Sequence, residues 1–346
     1  MDQPVFPRFL QEQLLASCTS RDQLAGCGAV HTVERRLAAH YGKRFALLTN
    51  NATTALMAVA LATRARFEPV IVNPFTWPGA VAPFTLLGSR VMLAPVQPHD
   101  LNMDLGALYR AGCEEARVLL VNDQGGTAAD QERARTYADV HGMVYVHDAA
   151  CSLGTVDPAG RPAGSLADVV VTSFGPDKAI TAGEGGAIVC DDEELYQRLL
   201  ALCMHPERQR KEVGTHHVFG PLNARPHPLA ATVLAGSWDL QFARLKERQA
   251  VTHRWLLERA HCFDPGSLPG REGSTYCGAV LPLRKGSTAG LKPCRPVPMK
   301  PGMAFPEGTW GRITTSPVAE RSLRAIGRTR YGLMDQHILE RACMFC

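Results

Sequence analysis

The segment TSFGPDKAITAGEGGA, residues 172–187, sets Lys178 ahead of a glycine-rich turn. By itself such a lysine is weak evidence. Lysines beside loops are commonly solvated, and Gly183, Gly185 and Gly186 serve equally well for positive-φ backbone or a close strand approach. Asp148, however, closes the apolar run in VYVHDAA, Ser173 ends the run before Lys178, and TNNATTAL puts Ala52, Thr53 and Thr54 at the entrance to a helical pattern. Trp77 follows PVIVN after a Pro-Phe-Thr turn. An amine, a carboxylate, hydroxyls at a helix start and a planar aromatic together suit a phosphorylated pyridine cofactor. The ring nitrogen needs a buried carboxylate such as Asp148 to stay protonated and draw electrons from a substrate carbanion. Lys178 can form the resting imine and then carry a proton at the substrate carbon. Ser173 and the helix start at Thr53 can hold phosphate, and Trp77 can stack on the ring. Singly, each residue has a structural explanation as a cap or a core side chain. Their placement just past separate apolar runs points to a site.

The elements that must position these residues are short apolar runs at 45–49, 69–73, 90–96, 117–122, 143–148, 167–174 and 186–190. They are rich in β-branched residues without strict alternation, which predicts strands covered on both faces. Helical patterns over 53–65, 129–141 and 192–204 predict an α/β fold: a mainly parallel seven-stranded sheet flanked by helices. In such sheets ligands bind beyond the carboxyl ends of the strands. Past about residue 235 the texture changes to an amphipathic helix over 237–260, a Pro- and Gly-rich segment at 283–303 that reads as a mobile loop, and a closing helix near 316–328. The expected division is a large domain with an N-terminal arm at 1–235 and a smaller α+β domain at 236–346.

Composition narrows the function. A net charge of +4 over 346 residues, with scattered basic side chains, argues against nucleic acid. No apolar stretch is long enough to span a bilayer, and MDQPVFPRFLQEQLLASC lacks the basic start of a secretory leader, so no membrane is expected and a cytoplasmic location is. Most of the 11 cysteines read as reduced thiols. Cys343 and Cys346 form a lone CxxC that would need two further ligands, and no metal site is expected. Arg161, Arg208, Arg210, Lys211, His216, His217 and His227 are candidate contacts for an anionic substrate group, with a solvated surface as the alternative for most.

The stretches GCGAVHTVERRLAAHYGKRFALLTNNATTAL, NPFTWPGAVAPFTLLGSRVMLAPV, VHDAACSLG, SFGPDKAITAGEGGAIV and GPLNARPHPLAA resemble the DegT/DnrJ/EryC1/StrS family over roughly the first 250 residues. SFxPxK with TxGEGG and DAA are, as a set, specific to that family. The resemblance implies a fold-type-I pyridoxal 5'-phosphate aminotransferase. Lys178 would be its Schiff-base lysine, Asp148 the partner of the pyridine nitrogen and Trp77 the stacking aromatic, with Thr53 and Ser173 on the phosphate. Asn223, in Asn223-Ala224-Arg225, would reach the cofactor phosphate of a neighbouring subunit, which implies a homodimer with shared sites. Ala52 stands where the family usually has Gly. Cys151 stands where it commonly has Gln, next to the cofactor's phenolic oxygen. The implied reaction moves an amino group from a small-molecule donor, L-glutamate or L-glutamine, to a keto or aldehyde acceptor such as a keto-sugar or a specialised-metabolite intermediate. The alternatives are another lysine-dependent elimination or replacement, and a non-catalytic regulatory protein that keeps the fold.

Overall fold

The computed structural model describes residues 9–97, 99–111, 114–214, 221–258, 260–262, 273–275, 280–282 and 342–344. The elements in chain order are α1 (Phe9–Thr19), α2 (Ala29–Tyr41), β1 (Phe45–Thr49), α3 (Ala52–Ala62), β2 (Val70–Val72), α4 (Pro78–Leu86), β3 (Val91–Leu93), α5 (Leu105–Ala111) and β4 (Val118–Asn122). They continue with α6 (Gln131–Val140), β5 (Val144–Asp148), β6 (Val169–Ser173), β7 (Gly186–Cys190), α7 (Glu193–Cys203), α8 (Pro206–Val213), α9 (Pro228–Glu258), β8 (Val280–Pro282) and β9 (Ala342–Met344).

Seven strands form one sheet in the order β1-β7-β6-β5-β4-β2-β3. β7 runs antiparallel to both β1 and β6, and the remaining pairs are parallel. Alternate side chains of one strand enter opposite cores. Leu119 and Val121 join the layer with α2, α6 and α9, whereas Val118 and Leu120 join the layer with α3, α4 and α7. Two covered faces explain why the strands read as unbroken apolar runs.

Local chemistry sets the helix ends. Asn51, Asp130 and Asp192 accept from the backbone N–H of Thr54, Arg133 and Leu195, so three helix starts carry side-chain caps. Pro78 and Pro206 occupy first-turn positions, where a missing N–H costs nothing. Gly42 and Gly214 close α2 and α8 in the left-handed conformation.

Some boundaries differ from the sequence reading. The helix expected at 237–260 begins at Pro228 and runs unbroken to Glu258 across the 235/236 boundary, packing on α1 and α2. The strand expected over 90–96 covers only Val91–Leu93; it lies at the sheet edge, and Pro95 has no N–H to extend the ladder. The 283–303 loop, the 316–328 helix and Cys346 fall outside the described residues, while Cys343 lies in β9. Among the described residues, no helix is long and apolar enough to cross a membrane.

Candidate active site

The carboxyl ends of β4, β5 and β6, with the β1–α3 turn, bring the predicted residues to one edge of the sheet. Asn122 and Asp148 are register partners across β4 and β5, and Ser173 and Thr49 flank Gly186 across β6, β7 and β1. A β-carbon on Gly186 would meet Asn51 and Ala52 backbone atoms at 2.4–2.7 Å, so only glycine allows the α3 start to approach β7 this closely. The backbone N–H groups that open α3 therefore stand at the same end of the sheet as the Ser173 hydroxyl. That end supplies hydroxyl and helix-terminal donors for an anion.

Asp148 is 7% exposed. Burial pushes its pKa up; the Ala150 N–H at 3.0 Å, His147 and Lys178 act against that, and Asp123 adds to it. Lys178 is thus close enough to favour the charged carboxylate. Its side chain is 18% exposed, with Nζ 3.3 Å from Asp177 Oδ2 and 3.6 Å from Cys151 Sγ. Gly175 borders both functional side chains: a β-carbon there would stand 3.6 Å from Ser173 Oγ and 4.0 Å from Lys178 Cγ.

Thr53 and Trp77 meet at Gly79, where a β-carbon would fall 2.6 Å from Thr53 Oγ1 and 2.8 Å from the indole ring. Trp77 is 58% exposed. Asn223 is exposed with a positive φ of 44°, and its Oδ1 accepts from Arg225 Nε at 2.7 Å. Ala224 O accepts from Asn50 N at 2.9 Å, which places the Asn-Ala-Arg segment beside the β1–α3 turn of its own chain.

Sequence reasoning missed a buried chain beneath the site. Tyr145 Oη lies 2.7 Å from His147 Nδ1, and His147 Nε2 lies 2.7 Å from Asp123 Oδ2, which also accepts from Ser152 Oγ. An ionised Asp123 only accepts, so His147 Nε2 carries the hydrogen and Nδ1 receives the tyrosine O–H. The signal was a histidine inside an apolar run; with alternation along β5, His147 and Asp148 point to opposite sides. Thr275 and Ser274 were also missed. Ser274 Oγ donates to Gly126 O at 2.7 Å and Thr275 Oγ1 to Cys151 O, so residues 273–275 brace the turns after β4 and β5.

Two of the candidate anion contacts are committed elsewhere. Arg208 forks onto Glu34 at 2.9 Å in a buried pair, and Arg161 is tied to Asp157 and Glu132. His216 and His217 lie outside the described residues.

The residues fit a phosphorylated pyridine cofactor. Asn122 Oδ1, at the register position beside Asp148, is buried and has no hydrogen-bond partner among the described residues, as expected where a ligand or water supplies the donor. A three-layer α/β fold with a lysine, a buried acid and an open aromatic plate at the carboxyl edge defines the class of fold-type-I pyridoxal-phosphate transferases. Residues 10–255 match the DegT/DnrJ/EryC1/StrS aminotransferase family, and the chain belongs to it. It is 31% identical over 235 residues to the 3-amino-5-hydroxybenzoate synthase of Amycolatopsis mediterranei, covering 67% of this chain and 59% of that protein. It is 27% identical over 230 residues to the UDP-2-acetamido-2-deoxy-3-oxo-D-glucuronate aminotransferase of Pseudomonas aeruginosa, covering 66% and 63%. A crystal structure of 3-amino-5-hydroxybenzoic acid synthase superposes with a TM-score of 0.65 at 26% identity, over 81% of this chain and 75% of that one. The chain spans about three fifths of the length of these two curated relatives.

Proposed function

We propose that this chain is a pyridoxal-phosphate-dependent aminotransferase, with Lys178 holding the cofactor covalently and Asp148 holding its ring nitrogen. The observation that carries this reading is the meeting of Lys178, buried Asp148 and the α3 start at one end of a single sheet. Ser173, Thr53 and the Ala52 backbone would grip the phosphate, Trp77 would cover the ring, and Cys151 would lie at the Lys178 side of the cofactor. When bound, the cofactor supplies an electron sink for the carbanion formed at the amino-bearing carbon.

The chain's own residues do the rest. Asp148, whose desolvation is opposed by the Ala150 N–H, His147 and Lys178, would gain a further positive partner in a protonated ring nitrogen, and that pairing would keep the proton in place. Lys178 Nζ would move the proton at the substrate carbon. Asp177, beside Nζ, steadies the ammonium form between transfers.

By family analogy the donor is L-glutamate or L-glutamine and the acceptor a keto or aldehyde group on a sugar or related ring. The Pseudomonas relative's name specifies a UDP-linked keto-sugar acid, and the Amycolatopsis relative's an aminohydroxybenzoate. The same analogy gives a homodimer in which Asn223 reaches the partner's site. A half-reaction tests the assignment: protein loaded with pyridoxal 5'-phosphate is mixed with glutamate or glutamine without acceptor. Conversion of the lysine-bound chromophore to the pyridoxamine form, with release of the keto acid, is expected. A chromophore inert to both donors would favour the non-catalytic alternative.

A further inference from the structure

Lys178 has a second reactive neighbour besides the aldehyde it is proposed to hold. Its Nζ donates to Cys151 Sγ at 3.6 Å. Cys151 is half-buried, within reach of small solutes, and its carbonyl is fastened by Thr275 Oγ1. Lys178 is partly enclosed on the facing turn. Amine and thiol are thus presented to each other on two braced turns.

Other thiols are placed differently. Cys190 and Cys203 are buried, and burial pushes both up to about 12, which keeps them protonated and unreactive. Cys27 Sγ lies 2.8 Å from Lys211 Nζ on the outside of the fold, so that pair provides an internal comparison.

We propose that Cys151 and Lys178 form an oxidation-sensitive modification site, in which hydrogen peroxide oxidises the thiol and the lysine amine then captures the sulfur. In the first step the thiol reacts with one peroxide molecule to give a sulfenic acid and water; sulfur is oxidised and peroxide reduced. In the second, the Nζ lone pair forms an S–N bond as the S–O bond breaks. The departing hydroxyl leaves as water with one amine proton. The product, a sulfenamide, holds two hydrogens fewer than the starting pair. Two equivalents of an external thiol reverse it, restoring amine and thiol and forming one disulfide. The consequence for activity rests on the proposed role of Lys178, because an amine bound to sulfur cannot hold the cofactor.

The protein, freed of cofactor, is treated with a small excess of hydrogen peroxide; catalase stops the reaction and the peptides are mapped by mass spectrometry. Expected is a linked pair of peptides carrying Cys151 and Lys178, lighter by two hydrogens and separated again by dithiothreitol. Uptake of pyridoxal 5'-phosphate, read as lysine-bound absorbance, should fall by about tenfold or more and return with dithiothreitol. In Cys27→Ser the loss should persist. In Cys151→Ser and in Cys151→Ala uptake should be the same before and after peroxide. A linked pair in protein that never takes up cofactor would support the modification site while refuting the assigned function. Cys151 recovered unmodified, or only as sulfinic or sulfonic acid with Lys178 unlinked, would overturn the proposal.

Discussion

Asp148 shows how much a single buried side chain asks of its surroundings. The Ala150 N–H and nearby Lys178 only partly offset its desolvation, so a cation on the cofactor would complete the set. Asp148→Ala should weaken pyridoxal 5'-phosphate binding by roughly tenfold to a hundredfold, the loss of one charge-assisted hydrogen bond, measured by equilibrium titration. A second, half-buried residue sets a pH limit on stability. His40 lies against the rings of Tyr41 and Phe242, its Nε2 is buried with no hydrogen-bond partner among the described residues, and burial lowers its pKa from 6.5 to about 4. Between those values the unfolded chain binds a proton that the folded chain refuses. The contribution is therefore complete above about pH 6.5 and is lost as pH falls toward 4. Unfolding midpoints in urea should report a loss of about 2 kcal/mol across that window. His40→Phe should flatten the profile; an unchanged slope would dismiss the role of His40.

At the scale of elements, the approach of α3 to β7 is the tightest demand in the site. Gly186→Ala puts a methyl into the Asn51–Ala52 backbone, and neither the helix cap nor the central strand can retreat. Destabilisation of about 1–3 kcal/mol is expected in chemical denaturation, together with weaker phosphate binding. Much of this arrangement was legible in the sequence, because β-branched runs marked all seven strands and each functional residue followed one of them. The helices α2, α4, α5 and α8 were not; α4, Pro78–Leu86, is apolar nearly all round and carries no clear period. The Asp123–His147–Tyr145 chain was hidden because Asp123 lies 24 residues from His147 and only the pairing of β4 with β5 brings them together. Arg208 was a candidate contact for an anionic substrate group, but it is buried against Glu34, a partner 174 residues away in sequence.

Across the whole molecule, the sheet delivers amine and acid from one chain, while Asn223 is exposed at the surface of the same fold with a positive φ. Shared sites would make Lys178 and Asn223 of one chain serve different cofactors. Lys178→Ala and Asn223→Ala chains, each impaired alone, should then regain about a quarter of wild-type turnover when unfolded and reassembled together, since half the dimers are mixed and one of their two sites is intact. Mixtures no more active than their parents would place both residues in one site of one chain. The covalent role of Lys178 underlies the proposed function, and borohydride reduction of the protein loaded with pyridoxal 5'-phosphate, followed by peptide mapping, tests it directly. The phosphopyridoxyl group should be recovered on Lys178 alone; its recovery on another lysine, or on none, would contradict the assignment.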